Sequence, residues 1–172
     1  MRRYQRPVIS LISRVLGARG DRALAEDLAQ ETFVKAYLKL SGFDSSRRLS
    51  SWLFRIAHNT AVDALRRRSR VPTAPAGEGL DPSEPDADHL AAPALPDPVE
   101  TEALGHALEE AMAQLRPEYR AAVMLRYEEG LPFEDVAHVL GVPDATARSY
   151  VHRARKQLAA RLAEGGWQPS KA

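Results

Sequence analysis

One stretch of this 172-residue chain, Pro72 to Pro98, limits every fold open to it: it holds seven of the twelve prolines, several acidic residues and almost no large apolar side chains. Proline removes a backbone donor, and a segment of this composition buries too little apolar surface to offset the entropy of ordering it. The stretch therefore predicts a linker, and a chain of this length split by a linker predicts two small modules, each with a modest core. We place the boundaries at residues 1–71 for a front module, 72–100 for the linker, 101–165 for a back module and 166–172 for a tail. Both modules repeat apolar residues every three or four positions and lack strand alternation, so the expected fold is all-α, two small helical domains.

Charge separates the same three parts. Residues 1–72 carry 15 Lys/Arg against 6 Asp/Glu, residues 73–103 carry no Lys/Arg and 8 Asp/Glu, and residues 104–172 carry 9 of each, which gives the overall +1. A front module with a balance of +9 suits a polyanion. No apolar run approaches the ~20 residues that cross a bilayer. Met1 to Arg6 is basic, but Ser10, Ser13 and Arg14 follow at helical spacing with no small-residue cleavage site, so no secretion signal is read and a cytoplasmic protein is expected. The chain has no cysteine, which excludes disulfides, thiolate zinc sites and thiol-based sensing within it.

In the front module, helices are predicted from about Pro7 to Leu16, Ala23 to Leu40 and Ser51 to Arg68. On the second, Ala25, Ala29, Phe33, Ala36 and Leu40 share a face, while Leu24, Leu28, Val34 and Leu38 form another stripe with Asp27 and Glu31 among them. Two such stripes mean either a second partner or two neighbouring helices. The third helix offers Leu53, Ala57, Ala61, Ala64 and Leu65 to a core. Its opposite face presents Trp52, Arg55, Asn59, Asp63 and Arg66, and it ends in Arg66, Arg67, Arg68, Ser69 and Arg70. A ring that stacks on an unstacked base beside guanidinium groups that meet phosphates is what single-stranded nucleic acid needs. The plainer alternative is a buried Trp52 with the arginines as a solvated helix end favoured by the macrodipole.

The back module predicts helices from Thr101 to Leu115, Glu118 to Tyr127, Phe133 to Leu140 and Asp144 to Leu162. Pro132 suits a helix start, and Gly141 stops the short third helix, leaving a helix-turn-helix with the fourth. In the last helix Ala147, Val151, Ala154 and Leu158 mark the buried side. Ala145, Arg148, Ser149, His152, Arg153 and Lys156 lie opposite, where arginine can pair with guanine edges and lysine can anchor a phosphate. A helical hairpin with a basic solvated face, binding protein instead of DNA, is the alternative. Neither His152 nor any other cluster has metal-ligand spacing, and no glycine-rich phosphate loop or paired nucleophile occurs, so no metal, cofactor or catalysis is expected.

Three blocks then resemble a known family. Ala25-Glu26-Asp27-Leu28-Ala29-Gln30-Glu31-Thr32-Phe33, Ser51-Trp52-Leu53-Phe54-Arg55-Ile56-Ala57-His58-Asn59 and Asp63-Ala64-Leu65-Arg66-Arg67-Arg68 resemble region 2 of the extracytoplasmic-function sigma factors of RNA polymerase. Leu115-Arg116-Pro117, Arg120, Leu125-Arg126-Tyr127, Gly130-Leu131-Pro132, Val136-Ala137, Leu140-Gly141-Val142 and His152-Arg153-Ala154-Arg155 resemble region 4. The resemblance implies a factor that directs core polymerase to promoters and catalyses no reaction itself. It assigns Asp27, Gln30, Glu31 and Val34 to the β′ clamp helices. Arg47, Arg48, Trp52, Arg55 and Asn59 fall to the single-stranded minus-10 element, where a base is flipped out at a cost of a few kcal/mol, and Arg66, Arg67 and Arg68 to phosphates. Arg148, Ser149, His152, Arg153 and Lys156 fall to the minus-35 element, with the β flap a further contact of region 4 and an anti-sigma factor a regulatory partner.

The sequence departs from the family at Pro143, where a capping serine or threonine is usual, and at Ala145 and Tyr150, which replace a glycine and an arginine. These changes bear on which promoter is read. The acidic linker would run along the RNA exit path and mimic RNA charge. From the residues alone, a stand-alone helix-turn-helix repressor or activator is the competing function, with the front module as sensor or dimerisation domain.

Overall fold

The computed structural model describes residues 2–17, 21–68 and 98–167, and among these every regular element is helical. The expected linker lies outside the described residues apart from 98–100, as do Ser69, Arg70 and the tail beyond Trp167.

Helix α1 (Arg2–Leu16) begins five residues before the expected Pro7. Pro7 inside it forfeits one backbone hydrogen bond. Val8, Leu11, Ile12 and Val15, all buried at helical spacing, hold the helix in spite of that loss. Gly17 ends it in the left-handed region at φ 56°, which glycine adopts without a Cβ penalty. Helix α2 (Arg22–Leu38) opens on Asp21, whose carboxylate accepts from the Leu24 amide at 2.7 Å and so satisfies one orphan donor of the first turn. Its buried side is Ala25, Leu28, Ala29, Thr32 and Ala36.

The second stripe expected on α2 therefore splits. At ~100° per residue, Leu28 falls within about 60° of the alanine face and joins the core, whereas Val34 lies on the far side. Val34 is 59%, Tyr37 70% and Leu38 72% exposed. Leu40 was expected on the core face but is exposed, because the α-helix stops at Leu38 and Leu40–Gly42 tightens into a 3₁₀ turn that rotates it away. In the loop that follows, Asp44 accepts from the Ser46 amide at 3.0 Å, a local turn that leads into α3 (Leu49–Arg68). Leu53, Phe54, Ala57, Ala61 and Ala64 bury one side of α3 against α1 and α2; small alanines on both α2 and α3 let the backbones approach.

In the back half, α4 (Pro98–Ala113) precedes α5 (Pro117–Val123), which has Pro117 in its first turn. Where an α-helix was expected to continue to Tyr127, Met124–Glu128 widens into a π-helical turn, with the Glu129 amide bonded to the Met124 carbonyl five residues back at 3.1 Å. Helix α6 (Phe133–Leu140) ends at Gly141 with φ 71°, and the Ala137 carbonyl accepts from the amides of Gly141 and Val142 at 2.9 and 3.1 Å. Helix α7 (Asp144–Glu164) buries Ala147, Val151, Ala154 and Leu158, as its spacing predicts.

The two halves pack together. Helix α1 lies against α5 and α3 against α6, and one apolar cluster runs from Val8, Leu11 and Phe54 through Ala121, Met124 and Leu125 to Val136, Val139 and Val151. A smaller cluster of Ala111, Met112, Leu115, Tyr119, Ala154 and Leu158 fastens α4 to α7, with the Tyr119 and Tyr150 rings 5.4 Å apart. Ion pairs close the seam: Arg14 of α1 reaches Glu128 at 2.7 Å and Glu109 at 3.4 Å. Gly17 comes so close to Arg120 that a Cβ there would lie 2.4 Å from its Nη2. No helix among the described residues is long and apolar enough to cross a membrane.

Candidate nucleic-acid interface

Two basic faces and one uncovered apolar face stand out. The first basic face gathers at the start of α3. Arg47 and Arg48 come from the loop that Asp44 turns, and Arg55 projects from the second turn of the helix. The turn is held by the Ser46 amide on Asp44, which with the nearby Arg47 keeps that carboxyl below the usual carboxylate range. Trp52, for which an exposed and a buried ring were both open, is half-buried: it packs on the core and against Phe43, with ring centroids 5.1 Å apart and planes tilted by 55°. Asn59 is exposed further along, beside Asp63, whose carboxylate lies 3.9 Å from Arg66; Arg67 and Arg68 are exposed too.

The arginines at this end of α3 are engaged. Arg55 Nη1 lies 2.9 Å from Nδ1 of His138 on α6 and 3.1 Å from the His138 carbonyl oxygen, and Arg47 Nη1 is 3.1 Å from the same Nδ1. Arg48 Nε stands 3.7 Å from Asp135 Oδ2, also on α6. Burial, then Arg55 and Arg47, push the His138 imidazole below its ordinary value. Nearby on α3, His58 is half-buried, with its Nδ1 shielded and lacking a hydrogen bond, and burial depresses it likewise.

The second basic face is on α7. Arg148 pairs with Asp144 one turn earlier, at 3.1 and 3.2 Å, and its guanidinium lies 4.5 Å from the Phe133 ring centre. Arg126 approaches the same ring at 4.8 Å. Asp144, whose carboxylate in the first turn complements the helix dipole, thus also fixes the orientation of an arginine. His152 and Arg153 are half-buried and Lys156 is exposed. Ser149 corrects the expectation of an outward-facing donor: it is only 8% exposed. The longer His152 and Arg153 sit three and four positions on, the spacing at which helical side chains lean back over a shorter neighbour.

The third feature is the outer side of α2. Asp27, Gln30 and Val34 are exposed there as placed from the sequence, with Glu31 half-buried and ion-paired to Lys35 at 2.7 Å. Tyr37 extends the apolar patch and was missed. An aromatic between Val34 and Leu38, on a helix whose alanines already fill the core side, was the available signal. His138 and Asp135 were also missed, because their partners Arg55 and Arg48 lie far away in sequence, and so was Phe133, whose partners Arg126 and Arg148 sit on neighbouring elements. Among the described residues no group of His, Asp and Glu is placed to hold a metal ion.

Comparison with known proteins supplies what geometry leaves open. Residues 1–71 match the Sigma-70 region 2 family and residues 105–158 match Sigma-70 region 4. The chain is 32% identical over 165 residues to the ECF RNA polymerase sigma factor SigW of Bacillus subtilis (strain 168), covering 92% of this chain and 84% of that protein. It is 36% identical over 162 residues to the RNA polymerase sigma-H factor of Pseudomonas aeruginosa, covering 91% and 80%. Among solved structures it superposes with a TM-score of 0.63 and 28% identity on the sigma factor RpoE, crystallised in complex with the anti-sigma factor NepR from Bartonella quintana, over 94% of this chain and 96% of that one. With both halves matched in order and the relatives covered over most of their length, this chain belongs to the ECF RNA polymerase sigma factors, which direct promoter-specific transcription initiation and are not enzymes.

Proposed function

We propose that this chain binds core RNA polymerase through the outer side of α2 and places α3 and α7 on the minus-10 and minus-35 elements of a promoter. The observation that carries the reading is the exposed apolar patch of Val34, Tyr37 and Leu38, flanked by Asp27, Gln30 and Glu31, on a helix whose other side is filled by core. Contiguous apolar surface of this kind marks a partner, and in this family that partner is the β′ clamp helices.

At the minus-10 element, Arg47, Arg48, Trp52, Arg55 and Asn59 take the non-template strand and Arg66, Arg67 and Arg68 its phosphates. Trp52, braced by Phe43, offers a ring already fixed in place, so little side-chain entropy is lost when a base stacks on it. At the minus-35 element, Arg148 is the base reader, steadied by Asp144 and Phe133 before DNA arrives. His152, Arg153 and Lys156 supply further donors, and the buried Ser149 supports their stems from beneath. We place region 2 at residues 1–71 and region 4 at 101–165, the latter also touching the β flap, with the acidic segment 72–100 between them along the RNA exit path. An anti-sigma factor covering the polymerase-binding faces is the expected regulator, a stress or envelope response the expected regulon, and the cytoplasm the expected location.

Run-off transcription with purified core polymerase on a genomic fragment library tests this reading. The chain is expected to confer initiation at a discrete set of promoters sharing two spaced elements. Transcripts no different from those of core enzyme alone would refute it.

A further inference from the structure

The α3–α6 seam sets acceptors where a nucleic acid would put its own. Asp135 stands opposite Arg48, and the His138 imidazole and carbonyl stand opposite Arg47 and Arg55. A guanidinium has donors only. Nδ1 of His138 has a single in-plane lone pair: Arg55 Nη1, 2.9 Å from Nδ1 and 3.4 Å from Nε2, lies toward the ring face and donates to the His138 carbonyl, which leaves the lone pair to Arg47 and requires the neutral ring with its proton on Nε2. A protonated ring has no lone pair to offer and would add a third cation to the two already converging on it. We propose that neutral His138 latches the helix-turn-helix over Arg47, Arg48 and Arg55, and that protonating it frees these arginines for promoter DNA. The assignment of those arginines to DNA rests on the function proposed above; the latch itself does not.

The charges bearing on His138 come from three places. Arg55 of α3 and Arg47 of the preceding loop oppose its protonation, and Asp135 on its own helix favours it. Asp135 faces Arg48, which draws part of its charge away. Helices α5 and α7 also pack on α6, and their Ala121, Ala147 and Val151 share one apolar cluster with Val136 and Val139; the arginines near α6 on that side, Arg126 and Arg148, lie against Phe133 at its other end. Burial contributes most to the depression of His138, then Arg55 and Arg47. A base that is harder to protonate in the closed form holds that form at full strength above the ordinary imidazole value of about 6.5, and the hold weakens as pH falls from there toward the depressed value.

The absence of cysteine allows a pair of dyes to be attached at Ala23→Cys on α2 and Gln157→Cys on α7, both exposed and outside the proposed contacts. Energy transfer between them in the full chain, without polymerase, is read from about pH 7.5 to about pH 5.5, a range that brackets the imidazole. The ratio of open to closed chains is expected to rise on acidification, by at most about tenfold per pH unit for one proton. His138→Gln, neutral at every pH, is expected to stay closed and flat, and His138→Lys to be open throughout, with far-UV circular dichroism unchanged. A wild-type signal that ignores pH, a His138→Gln chain that follows the wild type, or acid opening accompanied by lost helicity would each overturn the latch. A short oligothymidylate strand, competing for the same arginines, separates the two ideas. If acid opens the chain and the strand does not shift the signal, the latch stands and the DNA assignment of the arginines fails.

Discussion

Gly17 and Arg120 illustrate how single residues join the two halves. Gly17 needs both a positive φ and the absence of a side chain, since a Cβ would meet the Arg120 guanidinium. The left-handed backbone costs an L-residue roughly 1–2 kcal/mol, and displacing Arg120 adds the loss of its bond to the Ala113 carbonyl, made at 3.0 Å. Gly17→Ala is therefore expected to lower unfolding free energy in a urea titration by at least about 1 kcal/mol, whereas Gly42→Ala, with open space around it, should change it little. At the promoter, Arg148→Ala should cost about 1–3 kcal/mol at a cognate template and relax choice at one upstream position; an even loss over all templates would move Arg148 to the phosphate anchors. The sequence placed Arg148 correctly on the exposed side of its helix, since helical spacing decides that. Spacing alone could not reveal that Ser149, on the same side, is buried. Nor could it reveal that Arg55 meets a histidine 83 positions later, because nothing local records a long-range pair.

Among the elements, α2 was the most legible and the most instructive. Its two apolar stripes were visible as a pattern, and the pattern left two partners or two packed neighbours equally open. Packing by α1 and α3 on the alanine side resolves it: Leu28 is taken into the core and Val34, Tyr37 and Leu38 are left over. Leu38→Glu is expected to leave the melting temperature within a degree or two, because an exposed side chain carries little packing energy. The same change should weaken association with core polymerase by about 30-fold or more, the loss of an interface hot spot of roughly 2 kcal/mol; unchanged affinity would place the docking face elsewhere. Asp21→Ala, which removes the α2 cap, should instead reduce stability by about 1 kcal/mol while sparing affinity in the folded chain. Helix existence was readable throughout, and helix ends were readable at Phe133–Leu140 and at the start of α7 at Asp144, where glycine or proline marks them, but not at every helix. Pro7 reads as a start and lies inside α1, because tertiary burial of Val8, Leu11 and Ile12 outweighs one missing bond. The π turn at Met124–Glu128 carries no mark in the local sequence.

For the molecule as a whole, the proline-rich stretch announced two halves, and family comparison matches each half to its own region. What the stretch could not announce is that the halves share a buried cluster. The packing of α1 on α5 and of α3 on α6 depends on how two amphipathic surfaces meet, and each surface alone reads simply as apolar. That arrangement has a functional consequence. On the function proposed above, Arg47, Arg48 and Arg55 turned onto α6 leave the isolated chain a reduced grip on promoter DNA near neutral pH, where polymerase is expected to supply both the separation of the halves and the melted strand. A band-shift on a promoter fragment, at fixed salt because phosphate contacts are salt-dependent, tests this most directly when run with and without core polymerase. No shift by the chain alone and a stable, sequence-specific shift with the enzyme is the predicted result. A specific footprint by the unaided chain, unchanged when polymerase is added, would contradict it.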